Sequence, residues 1–235
     1  MSIKVIAFDA DDTLWVNEPY FRETENEFCQ LMEAYLPQHT VARELLHTEI
    51  KNLTLYGYGI KGFMLSMIET ALTVSNNTID ITAVDKIITY GKALLARPIV
   101  VLDGVEEVLQ SLKVDYRLVV ATKGDLLDQE RKLKNSGLDH YFHHVEVMSE
   151  KQPKDYKKLL KHLDIQPEQF LMIGNSLKSD VLPVLDLGGH AIHIPFHTTW
   201  AHEHIDVHID SPNFRQVEQI LDILPMFISP PSEIS

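Results

Sequence analysis

Apolar residues run almost without interruption through Ile3, Val5, Ile6, Ala7 and Phe8 and stop at Asp9. Such a run predicts a strand buried on both faces, as in a parallel sheet covered by helices, rather than an edge strand that alternates between core and solvent. From about Pro19 to Arg97 the spacing of apolar positions becomes helical. Phe21, Phe28, Leu31, Met32 and Tyr35 share one helical face, with Asn17 or Glu18 ahead of a proline at the first helical position. A second helix is expected over 40–53. A third places Phe63, Met64, Met67, Ile68, Ala71 and Leu72 on one broad face, and a fourth starts near Thr82 with Asp85 in a capping-box position. Aromatic and methionine stripes of this kind are packing surfaces. From Asp103 onward helices and strands alternate: helix 104–113, strand 117–121, helix 126–136, strand 144–148, helix 153–163, strand 170–173, helix 177–187 and strand 191–194. Gly137 and Gly188 end two of these helices. A last helix is expected after Pro212, packing Phe214, Val217, Ile220 and Leu221, and then a frayed tail from Ser229. The alternation predicts an α/β fold with right-handed βαβ units in one parallel sheet, interrupted by an all-helical insert.

The chemistry sits where the strands end. In open parallel sheets, ligands bind outside the carboxyl ends of the strands. The first strand ends in Asp9-Ala10-Asp11-Asp12-Thr13, which brings two carboxylates two residues apart into one turn. Two carboxylates that close repel, and a hard divalent cation with oxygen ligands relieves the repulsion; Mg2+ is the usual partner of one or two carboxylates and a substrate phosphate. A plain acidic turn is the bland alternative. The second strand runs into Thr122-Lys123-Gly124-Asp125, where a hydroxyl and backbone N–H groups lead into a helix, either as an anion site or as an ordinary helix cap. After the third come Lys151 and Lys154, and Lys157, Lys158 and Lys161 beyond them suit a solvated helix face. The fourth ends in Gly174-Asn175-Ser176-Leu177-Lys178-Ser179-Asp180, where Asn175 and Asp180 offer oxygen ligands across one turn.

Length and charge narrow the setting. A chain of 235 residues is long enough for one domain with an insertion or for two modest ones. The net charge of −13 disfavours nucleic acid polymers and anionic membranes as partners, and it demands local cations if the substrate is an anion. Cys29 is the single cysteine, so no internal disulfide forms, in keeping with a reducing cytoplasm. No transmembrane run and no signal peptide is read in the sequence, and a cytoplasmic location is expected.

Four signals at four successive strand ends resemble the haloacid dehalogenase (HAD) superfamily. Its motifs match Asp9-Ala-Asp-Asp-Thr13, Thr122, Lys151 and Gly174-Asn-Ser-Leu-Lys-Ser-Asp180, and the resemblance covers essentially the whole chain. It implies a Rossmann-like core over 1–16 and 98–235, with 17–97 as a C1-type helical cap domain. It also implies a Mg2+-dependent phosphatase acting on a small phosphorylated metabolite. In that scheme Asp9 attacks phosphorus to form an aspartyl phosphate, and Asp11 serves as general acid and then general base. Mg2+ is held by the Asp9 carboxylate, the Asp11 backbone carbonyl, Asn175 and Asp180. Thr122 and the Lys123 backbone N–H hold phosphate oxygens, while Lys151 stabilises charge on Asp9 and the transferring group.

Two departures stand out. Many relatives carry Asp where this chain has Asn175, and Lys154 competes with Lys151 for the lysine role; Lys151 is preferred because it lies nearer the strand end. In the insert, Tyr56-Gly57-Tyr58-Gly59-Ile60-Lys61-Gly62-Phe63 is the candidate substrate loop, with Lys61 either meeting an anion or sitting as a surface lysine. His197, His202 and His204 near Trp200 match no zinc spacing and are expected to form a polar loop. Asp11 argues against a haloacid dehalogenase, which needs no acid or base at that position. A phosphonatase would want a Schiff-base lysine in the cap. A phosphomutase and a non-catalytic phosphate- or partner-binding protein of the same fold remain the alternatives, and the sequence leaves the substrate and the oligomeric state open.

Overall fold

The protein is described here from a computed structural model, in which residues 3–227 are defined; the tail expected to fray from Ser229 lies outside them. Strand β1 (Val5–Phe8) is buried at every residue. It sits at the centre of a six-stranded parallel sheet of order β3-β2-β1-β4-β5-β6, built with β2 (Arg117–Lys123), β3 (His144–Met148), β4 (Phe170–Gly174), β5 (His190–His193) and β6 (Phe214–Gln216). Val5 lies opposite Arg117 on one side and Phe170 on the other.

The uninterrupted apolar run of β1 is explained by helices on both faces. Ile6 and Phe8 join Leu118, Val120, Leu171 and Ile173 in a cluster with Val105, Val108, Leu109 and Leu112 of helix α5 (Val105–Leu112). Val5 and Ala7 point the other way, with Val119, Ala121, Phe170 and Met172, against Tyr156, Leu159 and Leu160 of helix α7 (Pro153–Leu163). A third core belongs to the insert. There α1 (Glu18–Leu31), α2 (Gln38–Tyr56), α3 (Ile60–Val74) and α4 (Ile81–Leu95) bury Phe28, Met32, Val41, Leu45, Phe63, Met67 and Ile87.

The chain divides into two compact units. One holds the residues up to Val16, Ile99–Thr122 and those from Lys132 onward; the other holds Asn17–Pro98 and Lys123–Arg131. The helical unit therefore takes more than the 17–97 expected from the sequence. Its contacts give the reason. The Lys123 ammonium lies 4.2 Å from the centroid of the Tyr58 ring, and Lys61 pairs with Asp125 at 2.9 Å. Through these contacts the first part of helix α6 (Leu126–Ser136), with the residues before it, packs with the insert.

Several local expectations are corrected. The helix expected after Pro212 is instead strand β6 followed by a short helical turn. The free edge of β5 recruits the segment: Ala191 N–H donates to Asn213 O and Val217 N–H to His193 O, each at 3.0 Å. The helix expected over 177–187 is a π-turn (Leu177–Val181) running into a four-residue helix, α8 (Leu182–Leu185). Pro183 has no N–H to give to the Ser179 carbonyl four residues back. That carbonyl accepts the Tyr156 hydroxyl at 3.0 Å, and the Leu182 N–H bonds to Leu177 O across five residues. Helix α4 is capped by Asp80, which accepts from Thr82 N–H at 2.7 Å, and not by Asp85. Tyr35 lies beyond the end of α1 and is exposed, so it leaves the apolar face assigned to it. No helix among the described residues is long and apolar enough to cross a membrane.

Candidate active site

The sheet places the acidic residues before any long-range contact does. Asp9 directly follows β1, and its N–H still bonds to Ile173 O of β4 at 2.9 Å, so its backbone is as fixed as that of the strand. The chain then turns sharply. Asp12 takes a left-handed conformation with φ 62°, which Asp tolerates better than most residues, and Leu14 N–H returns to Ala10 O at 2.8 Å.

Lys151 ties three elements together. Its buried ammonium donates to Asp9 Oδ1 at 2.5 Å and to Asp180 Oδ1 at 2.6 Å, spanning the ends of β1, β3 and β4. Burial works against the lysine's charge, but Asp180 and Asp9 outweigh it and hold its pKa above the ordinary range. Burial pushes the Asp9 carboxyl up to about 7; Lys151 opposes the rise and the charge of Asp180 adds to it. Lys154 is exposed on α7, so the structure brings Lys151 and not Lys154 to Asp9.

Asp180 is 1% exposed, and its second oxygen accepts Ser176 N–H at 2.9 Å. It reaches that position over Gly174. A Cβ at residue 174 would lie 2.2 Å from Asp180 Oδ2, so any larger residue would displace the carboxylate. Asn175 Oδ1 accepts the Thr13 hydroxyl at 3.2 Å, while Asp9 Oδ2 lies 3.4 Å from the same hydroxyl. The Asn175 carbonyl accepts from His193 Nε2 at 3.0 Å.

The donor set fits a magnesium ion. Asp9 and Asp180 are buried carboxylates that share one lysine ammonium. Asn175 adds an amide oxygen, and hard oxygen donors of this kind are what Mg2+ takes. Among the described residues no group of three or more His, Cys, Asp or Glu side chains is spaced to hold a metal ion, so such a site would depend on the Asn175 amide, backbone carbonyl oxygen and substrate oxygen.

The other predicted residues fall as follows. Asp11 Oδ1 accepts the Trp15 indole N–H at 2.8 Å and the Lys132 ammonium at 3.0 Å. Thr122 is buried near the end of β2, beyond the Phe8–Val120 pair, with Lys123 next to it. Lys61, in the first turn of α3, is engaged by Asp125, three residues after Thr122.

Four residues were not found from the sequence. Trp15 and Lys132 hold Asp11. Glu203 accepts the hydroxyls of Ser176 and Ser179 at 2.7 and 2.6 Å, clamping the turn that carries Asn175 and Asp180. Tyr156 supports the same turn from α7. Only Lys132 left a trace, as a lysine beside the core residue Leu133 on a helix; Glu203 lies in an irregular loop with no periodic signal. Of the histidines in that loop, the His202 backbone carbonyl accepts the Lys178 ammonium at 2.7 Å and its ring lies tilted against Trp200, while the His197 ring lies tilted against Phe196.

Comparison with known proteins is consistent across sequence and structure. A family model describing haloacid dehalogenase-like hydrolases matches residues 3–187. A haloacid dehalogenase-like family hydrolase from Xanthomonas campestris superposes with a TM-score of 0.83 at 41% identity, covering 93% of this chain and 87% of its own. Among curated proteins, the glyceraldehyde 3-phosphate phosphatase of Pyrococcus furiosus is 32% identical over 36% of this chain and 38% of its own length. The enzyme of the same name from Methanopyrus kandleri is 25% identical over 76% of this chain and 78% of its own. The match thus spans less than half of the Pyrococcus relative and most of the Methanopyrus one.

Proposed function

Because the chain belongs to the haloacid dehalogenase-like hydrolase family, we propose that it is a Mg2+-dependent phosphatase that hydrolyses a small phosphorylated metabolite through an aspartyl-phosphate intermediate. The observation that carries this reading is the buried Asp9–Lys151–Asp180 triad at the carboxyl end of β1, with the separately held Asp11 two residues beyond Asp9.

Asp9 is the nucleophile. Its carboxylate oxygen bonds to phosphorus while the ester P–O bond breaks, and Asp11 gives its proton to the departing oxygen. Water then loses a proton to Asp11 and attacks the same phosphorus. Inorganic phosphate leaves, and the Asp9 carboxylate is restored. Lys151 keeps a fixed positive charge beside Asp9 through both steps, in a site where burial strengthens its effect. The Thr122 hydroxyl and the Lys123 N–H receive phosphate oxygens. The Asp9 and Asp180 carboxylates, the Asn175 amide oxygen and the Asp11 backbone carbonyl would hold Mg2+, which when bound offsets the repulsion between an anionic nucleophile and an anionic phosphate.

Residues 17–97 act in this reading as the cap that selects the substrate. Lys61 contributes a cation there, held by Asp125 on the segment that continues from Thr122. The names of the curated relatives make glyceraldehyde 3-phosphate the first substrate to try, ahead of other small phosphate esters. Phosphate release from that panel, with Mg2+ or with EDTA, tests the reading. Turnover is expected to need the metal and to fall by about 10^4-fold or more in Asp9→Asn, as for loss of a covalent nucleophile. Turnover that survives in Asp9→Asn would remove Asp9 from the nucleophile role.

A further inference from the structure

The carboxylate of Asp11 is held by Trp15 and Lys132. Two donors meet at one of its atoms: the Trp15 indole N–H and the Lys132 ammonium converge on Oδ1 at 2.8 and 3.0 Å. Lys132 reaches this atom from α6, where its side chain is 10% exposed and its sequence neighbour Leu133 belongs to the hydrophobic core. Enclosing a lysine there costs side-chain freedom in addition to desolvation, and an apolar residue would pack with less of either cost. Trp15, 1% exposed, is in turn fixed through backbone bridges to Asp11 and Val101.

We propose that Lys132, with Trp15, is a positioning residue that fixes the orientation of the Asp11 carboxylate. This inference rests on the phosphatase reading above. In the first step the O–H bond of Asp11 breaks and the leaving oxygen takes the proton. At the same time the P–O ester bond breaks and the Asp9–phosphorus bond forms. Lys132 acts through Asp11, holding the acid in one orientation toward the leaving oxygen.

The leaving group gives the test. An alkyl phosphate must release an alkoxide and needs the proton, whereas 4-nitrophenyl phosphate releases an anion that is stable near neutral pH. We would measure kcat/KM, which reports through the first irreversible step, for both esters on the full chain with Mg2+. In Lys132→Met the value for the alkyl ester is expected to fall by about tenfold or more, below the ~10²–10⁴ that a general acid contributes, and by less than about threefold for the aryl ester. Trp15→Phe, which removes the other donor, should move the ratio the same way, and it carries the comparison if Lys132→Met does not fold. Lys132→Arg, which keeps a donor and a charge, should recover part of the alkyl activity. An equal loss on both esters would mean that Lys132 is merely structural, and wild-type values on both would also overturn the proposal. Asp11→Asn separates this idea from its premise. If that variant changes the ratio and Lys132→Met does not, only the role of Lys132 falls. If wild type cleaves neither ester, or Asp11→Asn leaves the ratio unchanged, the role of Lys132 falls together with the mechanism.

Discussion

At the scale of single residues, Lys151 shows how one charge can organise a site. Its ammonium is shared by two carboxylates whose own repulsion would otherwise force one of them to neutralise. Removing one partner from a buried ionic group costs ~3–5 kcal/mol, because the remaining charges are left uncompensated. Lys151→Ala is therefore expected to lose activity and about that much stability in urea unfolding. Lys154→Ala, on the exposed face of α7, should match the wild type in both. The reverse pattern would mean that the observed ion pairs do not persist in solution. Gly174 belongs at the same scale, since its missing Cβ is what lets Asp180 close over β4.

At the scale of elements, the clearest case is the pair of helices α1 and α2. Glu18, Arg22 and Glu25 lie on one stripe of α1, with Arg22 bonded to Glu18 at 3.2 Å and to Glu25 at 2.9 Å. Glu49 of α2 comes next to this stripe. Burial pushes its carboxyl up to about 8, Glu25 and Glu18 add to the rise, and Arg22 opposes it. A carboxyl raised in the folded state keeps its proton while the unfolded chain has lost its own. Stability from this group is thus complete below the ordinary glutamate range and is lost as pH climbs through about 8. Glu49→Gln should abolish that loss: the variant gains on the wild type progressively from about pH 5 to pH 8 and levels off above, in urea midpoints taken across the range. A difference independent of pH would show that Glu49 is already ionised in the folded protein. The π-turn is the second lesson at this scale. A single proline removes one donor, and the freed carbonyl is satisfied from another helix by Tyr156.

At the scale of the whole molecule, each of the two units has a hydrophobic core of its own, and the proposed metal ligands all come from the α/β unit. A ligand that binds only the folded state stabilises it by RT ln(1 + [L]/Kd), ~2.7 kcal/mol at a hundredfold excess over Kd. Adding Mg2+ should therefore raise the thermal midpoint, EDTA should reverse the shift, and Asp180→Asn should abolish it while leaving the metal-free protein folded. A shift of equal size in Asp180→Asn would place the ion elsewhere. With a net charge of −13, the proposed anionic substrate would have to be met by local cations such as Lys151.

The sequence by itself determined the elements whose pattern is local. Continuous apolar runs announced β1 and β4, helical periodicity announced the insert, and the acidic and hydroxyl residues stood at strand ends, where a parallel sheet puts its site. Asp9, Asp11, Thr122, Lys151, Asn175 and Asp180 were singled out for that reason. Only the tertiary structure decided between Lys151 and Lys154, because spacing along the chain carries no information on which ammonium turns inward. It alone made a strand of 214–216, since what that segment gains comes from the open edge of β5 and not from its own apolar pattern. It alone brought Lys132 to Asp11 and Glu203 to Ser176 and Ser179. These partners are separated by 121, 27 and 24 positions, and their meeting depends on packing that no local period encodes.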